Sequence, residues 1–105
     1  MAFRWPTKDP DEVLDYSVDW SRFLGTATLA SATWFVDNAS GVKTLIGPTA
    51  VVNGIQNVAQ TFTNTVATIN LGLGDLNKDY KFYCQIADNT GSTAERVIRL
   101  RIKEQ

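Results

Sequence analysis

Leu76-Asn77-Lys78-Asp79-Tyr80-Lys81-Phe82-Tyr83-Cys84-Gln85-Ile86, Ala87-Asp88-Asn89-Thr90-Gly91-Ser92 and Thr93-Ala94-Glu95-Arg96-Val97-Ile98-Arg99-Leu100-Arg101-Ile102 follow one another at the end of the chain, and their pattern decides the fold. Tyr80, Phe82, Cys84 and Ile86 alternate with Lys81, Tyr83 and Gln85. Ile98, Leu100 and Ile102 alternate with Val97, Arg99, Arg101 and Lys103. A period of two describes a strand with one buried and one wet face. Between the runs, Asp88-Asn89-Thr90-Gly91 is a turn signal, because Asn and Gly tolerate positive φ. A long antiparallel hairpin is therefore expected, and with it an all-β class.

Upstream, Val66, Thr68 and Asn70 alternate with Ala67, Ile69 and Leu71, which predicts a strand over 65–71. Ala27 to Val36 is a second, with Ala30, Ala32, Trp34 and Val36 on one face and Trp34 as the central aromatic of the core. Val42 to Ile46 is a short strand stopped by Gly47-Pro48. Ala50–Val52 and Val58–Phe62 are apolar enough for short strands, with Asn53-Gly54 a type I′ hairpin signal between them. Asp9-Pro10-Asp11-Glu12 carries helix-capping residues, and Val13, Tyr16, Trp20 and Phe23 fit a helical stripe. Leu14, Tyr16, Val18 and Trp20 equally fit a strand with Asp15, Ser17 and Asp19 outward, and the β character downstream favours that strand, with one helical turn at Pro10. Ser21 to Thr26 is a connection closed by Gly25. Trp5-Pro6 suggests an extended arm, since a residue before proline avoids the α region. A tryptophan in such an arm either folds back onto the body or docks on a neighbour.

The sum is an all-β, immunoglobulin-like or fibronectin III-like sandwich of about seven strands. An arm over residues 1–9 precedes a single domain over 10–105. Leu76 ahead of Tyr80 fits a tyrosine corner, in which a buried hydroxyl bonds backbone at the crossover. Cys84 stands where immunoglobulin domains place half of their bridge, but the facing strand offers Ala or Ser, so it reads as a buried hydrophobe. The expected core comprises Tyr16, Trp20, Trp34, Tyr80, Phe82, Cys84, Ile86, Ile98 and Leu100.

Composition bounds the function. A chain of 105 residues with 44% hydrophobic content is one domain with one core. Its net charge of −1 lacks the basic excess of a nucleic-acid binder. Asp9, Asp11, Glu12, Asp15 and Asp19 crowd the start, whereas Arg96, Arg99, Arg101 and Lys103 crowd the last strand, so the two segments are expected to lie close. One cysteine forbids an internal disulfide, Met1 to Pro10 has no apolar run, and no run is long enough to span a membrane. Synthesis in a reducing cytoplasm is expected.

The absence of histidine removes the commonest general base, the His-containing triads and most transition-metal sites. Asp9, Asp11, Glu12 and Asp15 miss the calcium-loop spacing, and Gly72-Leu73-Gly74-Asp75 lacks the helix that a phosphate loop needs. No catalytic residue, metal or cofactor is expected. Trp20 and Trp34 lie on apolar strand faces; only Trp5 has no evident interior role, and a sugar platform needs several exposed rings.

The stretch Trp5-Pro6, Lys8-Asp9-Pro10-Asp11-Glu12-Val13-Leu14-Asp15-Tyr16 and Val18-Asp19-Trp20 resembles the opening of a family of small tailed-bacteriophage virion proteins. Ala30-Ser31-Ala32-Thr33-Trp34, Thr65-Val66-Ala67-Thr68-Ile69 with its Gly-rich corner, and the final hairpin resemble later parts of the same family. The family is the phage fibre–tail adaptor proteins, single immunoglobulin-like domains. The resemblance implies a virion structural role in the tail or neck, contacts with fibre and tail proteins, and several copies in a symmetric ring. It implies synthesis in a bacterial host and no catalysis. In that role Arg4, Trp5, Pro6 and Lys8 of the arm are the expected partner-binding residues. Capsid decoration and cell-surface glycan binding are the alternatives.

Overall fold

The computed structural model describes residues 3–104; Met1, Ala2 and Gln105, including the first two residues of the expected arm, lie outside the described residues. The elements are β1 (Phe3–Arg4), β2 (Leu14–Asp19), α1 (Ser21–Leu24), β3 (Leu29–Asp37), β4 (Lys43–Leu45), β5 (Val51–Val52), β6 (Ile55–Phe62), β7 (Val66–Leu73), β8 (Asp79–Asp88) and β9 (Thr93–Arg101). They form two sheets, β1-β9-β8-β3-β4 and β2-β7-β6-β5, packed as an immunoglobulin-like sandwich. Nine strands stand among the described residues against about seven expected; β5 falls within the expected Ala50–Val52, whereas β1, of two residues, is too short to show a period.

The terminal hairpin pairs Phe82 with Ile98 and Tyr80 with Leu100. Its turn is tied by Asp88, whose Oδ1 accepts from the Thr90 hydroxyl at 2.7 Å and from the Thr90 and Ser92 amides at 2.9 Å each. These donors, the Thr90 hydroxyl first, hold the Asp88 carboxyl below its ordinary value. In the Asn53-Gly54 turn both residues have positive φ, 55° and 86°, as a type I′ turn requires. A Cβ on Gly54 would lie 2.6 Å from an Asp75 carboxylate oxygen and push that side chain aside, and at φ 86° any other residue is strained.

Asp9 and Glu12 exchange reciprocal bonds, Asp9 amide to Glu12 Oε1 at 2.9 Å and Glu12 amide to Asp9 carbonyl at 3.0 Å. This closes a turn that feeds β2 directly, so the helical turn falls at Ser21–Leu24 and not at Pro10. In β3, a register shift between Leu29 and Ser31 turns Leu29 inward and leaves Ala30 exposed. The inward face is thus Leu29, Trp34 and Val36 with half-buried Ala32, and Ala30 departs from the expected set because a bulge resets the alternation.

Tyr16, Trp20, Trp34, Tyr80, Phe82, Cys84, Ile86, Ile98 and Leu100 are all buried, together with Ile46, Ile55, Ile69, Leu71 and Ile102. The Tyr80 hydroxyl donates to the Asn53 carbonyl at 2.8 Å and accepts from the Asp75 amide at 3.0 Å. It thereby pins the β7–β8 corner to the tip of the β5–β6 hairpin.

Candidate protein-docking surfaces

A sandwich has two lateral seams where its sheets part, and here the first seam carries the N-terminal segment. β1 runs parallel to β9 with Arg4 opposite Arg99. The Trp5 amide donates to Arg99 carbonyl at 2.9 Å, the Lys8 amide to Arg101 carbonyl at 3.0 Å, and the Lys103 amide to Lys8 carbonyl at 2.8 Å. Between them Pro6 is exposed and offers no N–H, which suits the outer edge of a sheet.

Trp5 itself enters the core. Its ring lies 4.8 Å from Tyr16, 5.6 Å from Phe82 and 5.8 Å from Trp34 by centroids. Its indole N–H donates to the Ser17 carbonyl at 3.2 Å. Of the two fates the sequence leaves open for Trp5, the structure takes the fold back onto the body: the flat aromatic fills the gap between β9 and β2. Lys8 is likewise inside, at 0% exposure. Its ammonium donates to the carbonyls of Asp9 at 2.8 Å and Leu73 at 2.6 Å. Burial pulls the Lys8 pKa below its ordinary value, and the nearby Glu12, Asp9 and Asp11 carboxylates oppose that shift. Of the four arm residues expected to meet a partner, Arg4 and Pro6 are exposed, whereas Trp5 and Lys8 are spent on the chain's own fold.

The edge of β2 is covered by side chains. The Ser17 carbonyl accepts from Trp5, and the Asp19 carbonyl accepts from the Arg96 guanidinium at 2.9 Å. Arg96 also lies over the Trp20 ring, 4.4 Å from its centroid. Such caps blunt an edge that would otherwise template pairing with another chain. At the opposite seam, Asn57 Nδ2 donates to the Ile46 carbonyl at 2.9 Å and to Gln60 Oε1 at 2.8 Å, and Gln60 Nε2 reaches the Ala32 carbonyl at 3.4 Å. The bulge between Asn57 and Ala59 brings Gln60 inward and puts Val58 outside.

Charge follows the expected proximity in part. Arg96 reaches the acidic segment at Asp19, whose carboxyl is held low, first by the Ser21 amide and only lastly by Arg96. Arg101 pairs instead with Asp79 across its own hairpin at 2.9 Å. A cleft of about 210 Å³ opens at the first seam, lined by Arg4, Trp5, Ser17, Val18, Asp19, Arg96 and Ile98.

The chemistry available is slight. Burial pushes the Cys84 thiol up to about 12, which keeps it protonated and unreactive at neutral pH. Among the described residues, no three His, Cys, Asp or Glu side chains gather where they would hold a metal ion. No helix of the described residues is long and apolar enough to cross a membrane. Trp5, Trp20 and Trp34 are all buried and present no aromatic platform for a sugar.

Fold and surface together define an immunoglobulin-like domain whose accessible features are sheet faces, loops and strand edges. The chain belongs to the family described as podophage GP4 fiber-tail adaptor protein gp77, whose sequence profile matches residues 8–101. That match runs from Lys8 through β9 and leaves Arg4, Trp5 and Pro6 ahead of it. No curated protein matches the chain.

Proposed function

We propose that the chain is a structural adaptor of a phage virion, joining the tail or neck to fibres or neighbouring tail proteins, in several copies around the tail axis. The observation that carries this reading is the family match over residues 8–101. The form of the domain supports it: a sandwich tied across both lateral seams suits a rigid spacer between larger parts. On the arm, Arg4 and Pro6 are the exposed residues offered to a partner; Trp5 and Lys8 act through the fold that holds them in place. A partner therefore meets a preformed surface, which lowers the ordering cost of assembly.

The test is deletion of the gene from its phage, followed by electron microscopy of the released particles. Tails without fibres, restored by supplying the chain in trans, are expected. Fully fibred, infectious particles lacking the chain would refute the adaptor role.

A further inference from the structure

Strand register sets three cations side by side on the outer face of the β1-β9-β8-β3-β4 sheet. Arg4 stands opposite Arg99, and Arg99 opposite Lys81. Directly opposed residues on antiparallel strands, as Arg99 and Lys81 are, have Cβ atoms about 4.5–5.5 Å apart, and like charges there destabilise the sheet. Among the described residues none of the three forms an ion pair; the pairs on this face are Lys43 with Glu95 and Arg101 with Asp79. One further carboxylate, Asp37, accepts the Tyr83 hydroxyl at 2.7 Å. The neighbouring row across the same face runs Val97, Tyr83, Phe35, Leu45. Lys43 lies 4.5 Å from the Phe35 ring centroid and Lys81 lies 5.3 Å from that of Tyr83. Leu45 is 56% exposed.

We infer that this face is the docking surface for a partner protein that presents an acidic strip beside an apolar ridge. The inference rests on the adaptor reading and names the chemistry of its partner. The cation row is unfavourable in the free chain, and a partner's carboxylates would turn that repulsion into attraction. The adjacent apolar row supplies the contact that carries most binding energy, with Tyr and Arg among the residues enriched where interfaces are strongest. A protein partner is favoured over nucleic acid, because the row is short and the chain as a whole carries a net charge of −1.

On the opposite outer face two polar pairs satisfy each other, Ser17 bonding Thr68 at 2.9 Å and Asn70 donating to Asp15 at 2.7 Å, while Val58 is 38% exposed there.

The experiment uses the full chain and virus particles assembled without it. Wild-type chain is expected to rebind, more weakly as salt rises. The variant Arg99→Glu, placed between Arg4 and Lys81, is expected to bind at least tenfold more weakly and to lose most of the salt dependence, while its melting temperature is unchanged or raised. Reversing a charge far from this face, Arg22→Glu, should leave binding within twofold. If the wild type rebinds and Arg99→Glu rebinds equally well, the docking face is refuted and the adaptor role stands. If the wild type fails to rebind, both fall. Competition by double-stranded DNA at micromolar concentration would overturn the assignment to a protein partner.

Discussion

The two lateral seams of this sandwich are closed by opposite means. The first is closed by an aromatic side chain at the end of the short edge strand β1: Trp5 packs against Tyr16, Trp34 and Phe82 and caps Ser17. The second is closed from within by amides, Asn57 and Gln60, reaching carbonyls of the opposite sheet. Burial of a large ring contributes in proportion to area and is insensitive to small shifts in geometry. An amide bridge contributes little net energy but fixes register, because leaving its partners unpaired is costly. The first seam should therefore dominate stability, and the second should dominate precision.

The largest expected effect follows directly. Trp5→Ala removes a ring at 8% exposure and uncaps a carbonyl, and should cost about 3–5 kcal/mol, measured by urea denaturation. Trp5→Phe keeps part of the packing and loses the indole bond, so it should cost less than half as much. A Trp5→Ala domain as stable as wild type would mean that the ring contributes nothing to the closed seam.

The amide seam should respond more weakly. Asn57→Ala strips the Ile46 carbonyl of its donor in a site with 0% exposure, a loss of about 1–3 kcal/mol. Its own Oδ1 has no partner among the described residues, so part of that loss is offset when the amide goes. The expected value is at the lower end of the range. Loss of register is the sharper readout: amide hydrogen exchange should accelerate in β6 beyond the bulge and leave β9 unchanged.

Lys8 joins the arm to the β7–β8 corner, and pH separates its charge from its packing. Burial lowers its pKa from 10.5, so the folded state is penalised while the ammonium stays charged. That penalty is relieved as pH rises through the folded value, which is a gain in stability. Tyr16 and Tyr83 are raised from 10.0 to about 12, and Cys84 from 9.0 to about 12, each chiefly by burial. Those groups hold their protons longer in the folded state. The stability they confer is full below pH 9 and lost between pH 9 and 12. The net result is alkaline unfolding with a blunted onset. Lys8→Met removes the compensating gain, so its stability should fall more steeply above pH 9 than that of wild type. At neutral pH the two bonds to carbonyls are exchanged for a hydrophobic isostere at a net cost of about 1 kcal/mol. Parallel decline of both proteins across pH 9–11 would show that the ammonium is not desolvated.

The regular part of this fold is legible because one period governs it. β8 shows its inward face from Tyr80 to Ile86 and β9 from Ile98 to Leu100, and in β2 the acids at 15 and 19 mark the outward face against the rival helical stripe. The tyrosine corner and the Asn53-Gly54 turn are legible because only certain residues fit those backbones. What escapes is whatever depends on one residue or on a break in the period. Trp5 is a lone aromatic before a proline, and its pocket is built by residues remote in sequence. Asn57 is polar at an inward position, which alternation alone assigns to solvent. The bulges at Ala30 and Val58 shift the phase without any glycine or proline to announce them. Sequence offers Arg4, Trp5, Pro6 and Lys8 alike to a partner and does not separate the exposed pair from the buried one, and the row of Arg4, Arg99 and Lys81 needs the register of three strands to be seen at all.

The smallest expected effect tests whether the second seam acts as one network. Gln60 Nε2 stands 3.4 Å from the Ala32 carbonyl, near the limit for a hydrogen bond, while its Oε1 accepts from Asn57 at a normal 2.8 Å. The bond to Ala32 is therefore weak, and Gln60 works mainly as the acceptor that orients Asn57. Gln60→Ala should cost only about 0.5 kcal/mol on its own. Combined with Asn57→Ala it should add almost nothing, because the acceptor has lost the group it orients. A double-mutant cycle that gives strict additivity would separate the two amides. The seam would then be closed by Asn57 alone, with Gln60 merely lying beside it.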